Sequence, residues 1–155
     1  MMTLRALKTL PMKRTHIRAC NAITASSEPW KTLNERIDFS KYIALKQAFV
    51  CMIGDEPAGF IIFTPEPVFA RGGYIRAVGV APEIRRHGVG RKLLALAEHV
   101  MARRCANSYL CVSSFNRRAA AFYSANGYSR VGKLPGLIKP GVVEYIFWKR
   151  LSMNT

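Results

Sequence analysis

Val78-Gly79-Val80-Ala81-Pro82-Glu83-Ile84-Arg85-Arg86-His87-Gly88-Val89-Gly90-Arg91-Lys92-Leu93-Leu94 is the stretch on which the reading of this chain turns. Its first residues end an apolar run from Tyr74 to Val80, which predicts a strand, with Gly79 as a candidate bulge. From Gly88 onward, Val89, Leu93, Leu96, Ala97 and Val100 recur at spacings of three and four, and Leu94 and Met101 widen the stripe. That is an amphipathic helix of about 15 residues. Gly88 and Gly90 carry no Cβ, so the chain between strand and helix can turn tightly and bring its amides close to a ligand. The helix N-terminus adds unpaired N–H groups and partial positive charge, which together make a pyrophosphate seat. Arg85, Arg86, His87 and Arg91 supply cationic donors, and the arginine fork matches phosphate oxygens. The spacing is neither a GxxxxGK[ST] triphosphate loop nor a GxGxxG dinucleotide fingerprint, because Gly88-Val89-Gly90-Arg91-Lys92-Leu93 ends on leucine. An ordinary loop-to-helix junction with solvated arginines is the competing reading of the same residues.

Upstream, Ala48–Ile53 and Ala58–Thr64 are short apolar runs joined by Gly54-Asp55-Glu56-Pro57, which predicts a hairpin. Pro65-Glu66-Pro67 is expected to close its second strand, since proline lacks the ladder N–H. Further back, Pro11 to Thr24 sets Ile17, Cys20 and Ile23 on one helical face, and Asn34 to Ala44 is a second, weaker helix pattern. Ser26-Ser27-Glu28-Pro29-Trp30 reads as the loop between them, and a short strand is expected near Leu4 to Leu7. Downstream, Tyr109–Ser113 predicts a strand and Asn116–Asn126 a helix ended by Gly127, followed by strands at Tyr128–Val131 and Val142–Trp148. The order βαα-βββ-α-β-α-ββ is a mixed α/β arrangement with strand–helix–strand crossovers in its second half.

At 155 residues and 50% hydrophobic, with a mean hydropathy of +0.04, the chain has the size and composition of one folded domain, residues 1–155, and not of a disordered segment. No stretch reaches the ~18 uncharged apolar residues of a membrane span. Pro11, Lys13 and Arg14 interrupt the basic N-terminal stretch before any apolar core of a secretory leader develops, so the expectation is a cytoplasmic protein. The 4 cysteines, Cys20, Cys51, Cys105 and Cys111, form no CxxC pair and read as free thiols, with Cys51 and Cys111 in the core. His16, His87 and His99 form no cluster, and no ligand spacing for a metal is present. The 24 Lys+Arg against 9 Asp+Glu give a net charge of +15 and a pI of about 10.3. The excess lies in residues 1–50 and 101–155, at +6 and +8, with +1 between. Such a field attracts polyanions, so a nucleic-acid-binding module is carried as an alternative. The basic residues are nevertheless scattered in ones and twos, without a lysine-rich run or aromatic interleaving.

Arg85-Arg86-His87-Gly88-Val89-Gly90 resembles the R/Q-x-x-G-x-G/A signature of the GCN5-related N-acetyltransferase (GNAT) superfamily, placed after a strand as in that family. Asn116-Arg117-Arg118-Ala119-Ala120-Ala121-Phe122-Tyr123-Ser124-Ala125-Asn126-Gly127-Tyr128 is similar to its N-x-x-A-x-x-[FL]-Y-x-x-x-G-[FY] segment. The Pro29-Trp30 loop is similar to the N-terminal region of protein N-acetylating members. The resemblance implies a central, mostly antiparallel mixed sheet of about seven strands with helices on both faces, acetyl-CoA as co-substrate, and acetyl transfer to an amine. On it, the backbone of Val78 and Val80 pairs with the pantetheine arm, with Gly79 at the bulge. Amides near Val78 to Val80 polarise the thioester carbonyl, and Arg85, Arg86, His87, Gly88, Val89, Gly90 and Arg91 hold the pyrophosphate. Asn116 hydrogen-bonds the pantetheine arm, against a competing reading as a helix N-cap. Tyr123 stands near the sulfur and donates a proton to the departing thiolate, against a reading as a core aromatic beside Phe122.

The general base is left open among Glu66, Glu56, Glu144 and ordered water, with Glu66 preferred because it precedes the cofactor strand. No cysteine lies in either motif, so direct transfer in a ternary complex is expected over an acetyl-enzyme. The +15 charge predicts a neutral or acidic acceptor, a small amine, an amino acid or a protein N-terminus, and disfavours polyamines and aminoglycosides. Family members border the acceptor site with the loop corresponding to Leu134–Gly141, which reads equally as a strand connection or a homodimer contact. A regulatory protein that binds acetyl-CoA without turnover is the third alternative.

Overall fold

The computed structural model describes residues 6–152. Strand β1 is Lys8–Pro11, and a 3-10 turn at Arg14–His16 leads into helix α1, Ile17–Ala25. Two short helices follow, α2 at Trp30–Leu33 and α3 at Phe39–Ala44. Strands β2 (Ala48–Ile53), β3 (Glu56–Phe69) and β4 (Gly72–Val80) precede helix α4, Val89–Met101. The chain then runs through β5 (Asn107–Ser113), α5 (Arg117–Ala125), β6 (Ser129–Pro135) and β7 (Val143–Arg150). The seven strands form one mixed sheet in the order β1-β2-β3-β4-β5-β7-β6. β4 and β5 pair in parallel, whereas β1–β2, β2–β3, β5–β7 and β6–β7 are antiparallel. The mixed α/β fold expected from the element order is therefore present.

The chain divides into two compact units, residues 1–63 with 77–97 and residues 64–76 with 98–155, so β3, β4 and α4 are each shared. In the first unit, Met12, Cys20, Ile23, Trp30, Phe39, Val50, Phe60 and Ile62 form one buried cluster. The Phe60 ring meets Phe39 edge-on at 5.0 Å and Trp30 at 5.8 Å. In the second unit, Ile75, Met101, Leu110, Val112, Tyr123, Tyr128 and Phe147 are buried. A polar network lies within it: the Tyr128 hydroxyl donates to Glu98 at 2.9 Å and shares a hydrogen bond with Ser108 at 2.8 Å, while Lys149 reaches Glu98 at 2.8 Å. Burial, above all, holds the Tyr128 phenol above its ordinary range.

Four expectations need correction. Leu4 and Arg5 of the first expected strand lie outside the described residues, and the strand itself begins later, at Lys8. The Asn34–Ala44 helix is broken because Asn34 takes a left-handed conformation, φ +52°, and caps α2; α3 restarts only after Asp38 accepts from the Lys41 N–H. Pro65 and Pro67 do not end β3. The β2 register stops at Ala48–Ile62, so β3 is an edge on that side beyond Phe63 and a missing N–H breaks no β2 ladder bond there. Cys111 is half-buried, not a core residue, whereas Cys51 is fully buried.

Candidate active site

In the first unit the site is built on the end of β4. The β4–β5 register covers only Gly72–Ile75 against Asn107–Leu110, while β4 continues to Val80. Beyond Ile75 the backbone of β4 thus presents N–H and C=O groups along one side without a β5 partner among the described residues, the chemistry of an open strand edge. Val78 and Val80 are half-buried here, and Gly79 alternates to the core side. A Cβ at Gly79 would fall 2.4 Å from Phe60 Cε1, so close packing, not a φ only glycine tolerates, requires glycine at this position.

The loop after β4 is folded by two left-handed residues, Arg86 at φ +68° and Gly88 at φ +85°. A Cβ on Gly88 would meet nothing nearer than Leu7 Cδ1 at 4.0 Å, so the space beside it is open and the backbone angle sets the requirement for glycine. Two side chains of this loop are turned onto the protein. The His87 Nδ1 lies 2.9 Å from the Arg85 carbonyl and 3.1 Å from that of Ile84; both are acceptors, so Nδ1 donates and the ring braces the loop. Val89 is buried, with 1% of its surface exposed, which leaves its amide as the group available to a ligand. The Arg85 guanidinium donates to Ser27 Oγ at 3.2 Å, tying the loop to the end of α1. Arg86 and Arg91 are exposed, and the first turn of α4 holds no acidic residue. Free helix-end amides, open space at Gly88 and exposed guanidinium groups suit a pyrophosphate.

In the second unit Asn116 caps α5, its Oδ1 accepting from the Ala119 N–H at 3.3 Å, so the capping reading of this residue holds in the structure. Tyr123 is buried, its ring 5.2 Å from Phe122, 5.7 Å from Tyr128 and 6.5 Å from Phe147. Burial, and then Tyr74, push the Tyr123 phenol well above its ordinary range, so it is protonated at neutral pH. The Tyr74 phenol is pushed the same way by burial and by Cys111, with which it is hydrogen-bonded. Burial likewise raises the Cys111 thiol, which keeps it protonated and poorly nucleophilic.

The three carboxylates separate clearly. Glu66, preferred from chain order, is half-exposed and paired with Arg104 at 3.6 Å. Glu56 is exposed at the start of β3. Glu144 has only 2% of its surface exposed and accepts a hydrogen bond from Ser113 at 2.5 Å. The sequence reading missed Tyr74, Cys111 and Ser113 as its neighbours; the period-2 alternation of β5 was the available signal. Among the described residues no three His, Cys, Asp or Glu side chains gather as metal ligands, and no helix is long and apolar enough to cross a membrane.

The sequence profile described as the acetyltransferase (GNAT) family matches residues 15–128. N-alpha-acetyltransferase 60 of Danio rerio is 31% identical over 99 residues, covering 57% of this chain and 41% of that protein. The chain thus spans about two fifths of the length of this curated relative. Among solved structures, nourseothricin acetyltransferase is 27% identical with a TM-score of 0.63 over 67% of this chain and 64% of its own. A chain of the NatC complex bound to Gag peptide and CoA is 18% identical with a TM-score of 0.74 over 94% of this chain and 98% of its own, a likeness of fold.

Proposed function

The chain belongs to the acetyltransferase (GNAT) family, and from that premise we propose that it transfers the acetyl group of acetyl-CoA directly to a primary amine in a ternary complex. The observation that carries this reading is the β4 edge, open beyond Ile75 and running straight into a left-handed loop at the N-terminus of α4. An extended amide-bearing arm pairs with such an edge as an added strand does, and the Val78–Val80 amides then lie where they polarise a thioester carbonyl. The loop amides of Gly88, Val89 and Gly90, with Arg86 and Arg91, take the pyrophosphate. Arg85 and His87 hold the loop in shape through Ser27 and the loop carbonyls. Tyr123, kept protonated by burial, gives its proton to the departing thiolate. Asn116 sets the start of the helix that carries it. The raised thiol of Cys111 speaks for direct transfer over an acetyl-cysteine.

The acceptor in this reading is neutral or acidic. Residues 101–155 carry nine basic groups and a single acid, Glu144, and that acid is buried, so it does not offset the field at the surface. The name of the curated relative, an N-alpha-acetyltransferase, supports α-amines, and a peptide N-terminus is the acceptor we put first. Thiol release from acetyl-CoA is measured with a neutral peptide, an acidic peptide and spermidine. The reading predicts turnover with the peptides at a kcat/KM well above that for spermidine. Thiol release that no amine stimulates would refute acetyl transfer, and spermidine as the best substrate would refute the acceptor class.

A further inference from the structure

Strand β6 stands last in the sheet order and pairs with β7 alone, so one side of its backbone has no strand partner among the described residues. Alternate residues of an antiparallel strand turn both N–H and C=O to that side, which leaves a row of donors and acceptors. Of its seven residues only Gly132 is half-buried, and the rest are exposed. The register against β7 shifts within the strand: Arg130 stands opposite Phe147, Gly132 opposite Ile146 and Lys133 opposite Tyr145. Val131 is therefore an extra residue, a bulge, with 55% of its surface exposed. The bulge decides where the charges point. Residues three apart on a regular strand face opposite ways, whereas one inserted residue brings Arg130 and Lys133 to the same face, that of Tyr145 and Phe147. There the Arg130 guanidinium lies over the Tyr145 ring, 4.3 Å from its centroid. Arg130, Val131, Gly132, Lys133 and Tyr145 line an open cleft of about 340 Å³ that contains no acid. Among the described residues neither cation makes an ion pair. Glu144, the single acid of residues 101–155, alternates to the other face of β7.

We propose that the open edge of β6 docks an extended acidic segment of a protein partner, which adds to the sheet as a further strand with its carboxylates against Arg130 and Lys133. Strand addition supplies main-chain hydrogen bonds, and the two cations on one face select carboxylate side chains over neutral ones. Protection of the edge against sticking calls for charge on β6, but not for two cations and a guanidinium-covered aromatic converging on one cleft. Nucleic acid is the poorer occupant. Its backbone has phosphate acceptors but no repeating N–H to answer the β6 carbonyls, and the guanidinium covers the Tyr145 face on which a base would stack. A second copy of the chain would bring its own Arg130 and Lys133 to the same edge, like charge against like.

The test is calorimetry and amide NMR of the full chain with a peptide of alternating glutamate and valine, blocked at both ends so that it offers no amine to acetylate. Saturable binding at about 10–100 μM that weakens with salt and shifts the amides of residues 130–133 is expected. The glutamine version of the peptide should bind about tenfold more weakly, and a fully N-methylated version, which has no N–H to give the edge, should not bind. Arg130→Ser and Lys133→Ser should each weaken binding about 2–5-fold, the loss of one exposed charge pair. Ser129→Arg combined with Arg130→Ser keeps the net charge but carries the guanidinium to the face of Trp148, so it should bind as weakly as Arg130→Ser alone. Equal binding of the glutamine or N-methylated peptide, or wild-type affinity in the double variant, would overturn the proposal. So would a peptide that does not bind, a single-stranded oligonucleotide that shifts the same amides more tightly, or a dimer of the chain that occupies this edge. The peptide arms need no variant of the protein to fold. Because the peptide cannot be acetylated, the outcome is independent of whether the chain transfers acetyl groups.

Discussion

One methyl group at Gly79 measures how tightly strand β4 is seated. The added Cβ would fall 2.4 Å from Phe60 Cε1, 2.8 Å from Phe60 Cζ and 3.1 Å from Ile23 Cγ2. Phe60 is fully buried and held between Phe39 at 5.0 Å and Trp30 at 5.8 Å, so its ring yields only if the cluster rearranges. Overpacking of this kind costs about 1–3 kcal/mol. In a chain of this length each ~1 kcal/mol moves Tm by about 2–4 °C, so Gly79→Ala should lower Tm by roughly 2–12 °C. The cause is isolated by repeating the substitution in a Phe60→Leu background, where the clashing ring atoms are gone. Thermal and urea unfolding of the two single variants and the double variant give the coupling. Gly79→Ala should cost at most half as much in that background. An equal cost in both backgrounds, or a Tm unchanged in the single variant, would refute the steric argument.

Tyr123→Phe keeps the ring among Phe122, Tyr128 and Phe147, so it should lower turnover about 10²-fold or more while leaving acetyl-CoA affinity and Tm nearly unchanged; equal turnover would return Tyr123 to a packing role. Asn116→Ala removes the α5 cap and should cost ~1 kcal/mol in urea unfolding, whereas Asn116→Ser should restore that stability; cofactor affinity that also returns with serine would confine Asn116 to capping. His16 Nδ1 accepts from the Lys13 N–H at 3.0 Å, and burial, then Lys13, lowers its pKa below the ordinary 6.5. The unfolded chain therefore takes up the proton first, so stability should fall as pH drops below about 6.5, and His16→Gln should flatten that slope in urea titrations between about pH 7 and 5.

The glycine loop was legible because its signal is local: Gly88 has the positive φ that glycine supplies, and α4 starts one residue later. The Asn116 cap and the Gly127 stop of α5 were legible for the same reason. Readings that needed tertiary information went astray. Pro65 and Pro67 read as a strand end because their lack of a β2 partner depends on where the β2 register stops. Glu66 was preferred as base because it precedes the cofactor strand in the chain, yet it is half-exposed beside Arg104. Glu144 meets Ser113 across 31 positions of sequence, a pairing that only the β5–β7 register reveals. The contact of His87 Nδ1 with the Ile84 and Arg85 carbonyls depends on the curl of the loop, which the sequence does not display.

Calorimetric titration of the full chain with acetyl-CoA, against free CoA, ATP and a short DNA duplex at two salt concentrations, tests the central claim most directly. Micromolar binding of acetyl-CoA and CoA that exceeds ATP and survives the higher salt, and that weakens in Gly88→Val, is the predicted result. Binding of all polyanions alike with a steep loss at higher salt, or of DNA alone, would contradict it and assign the +15 charge to nucleic acid instead.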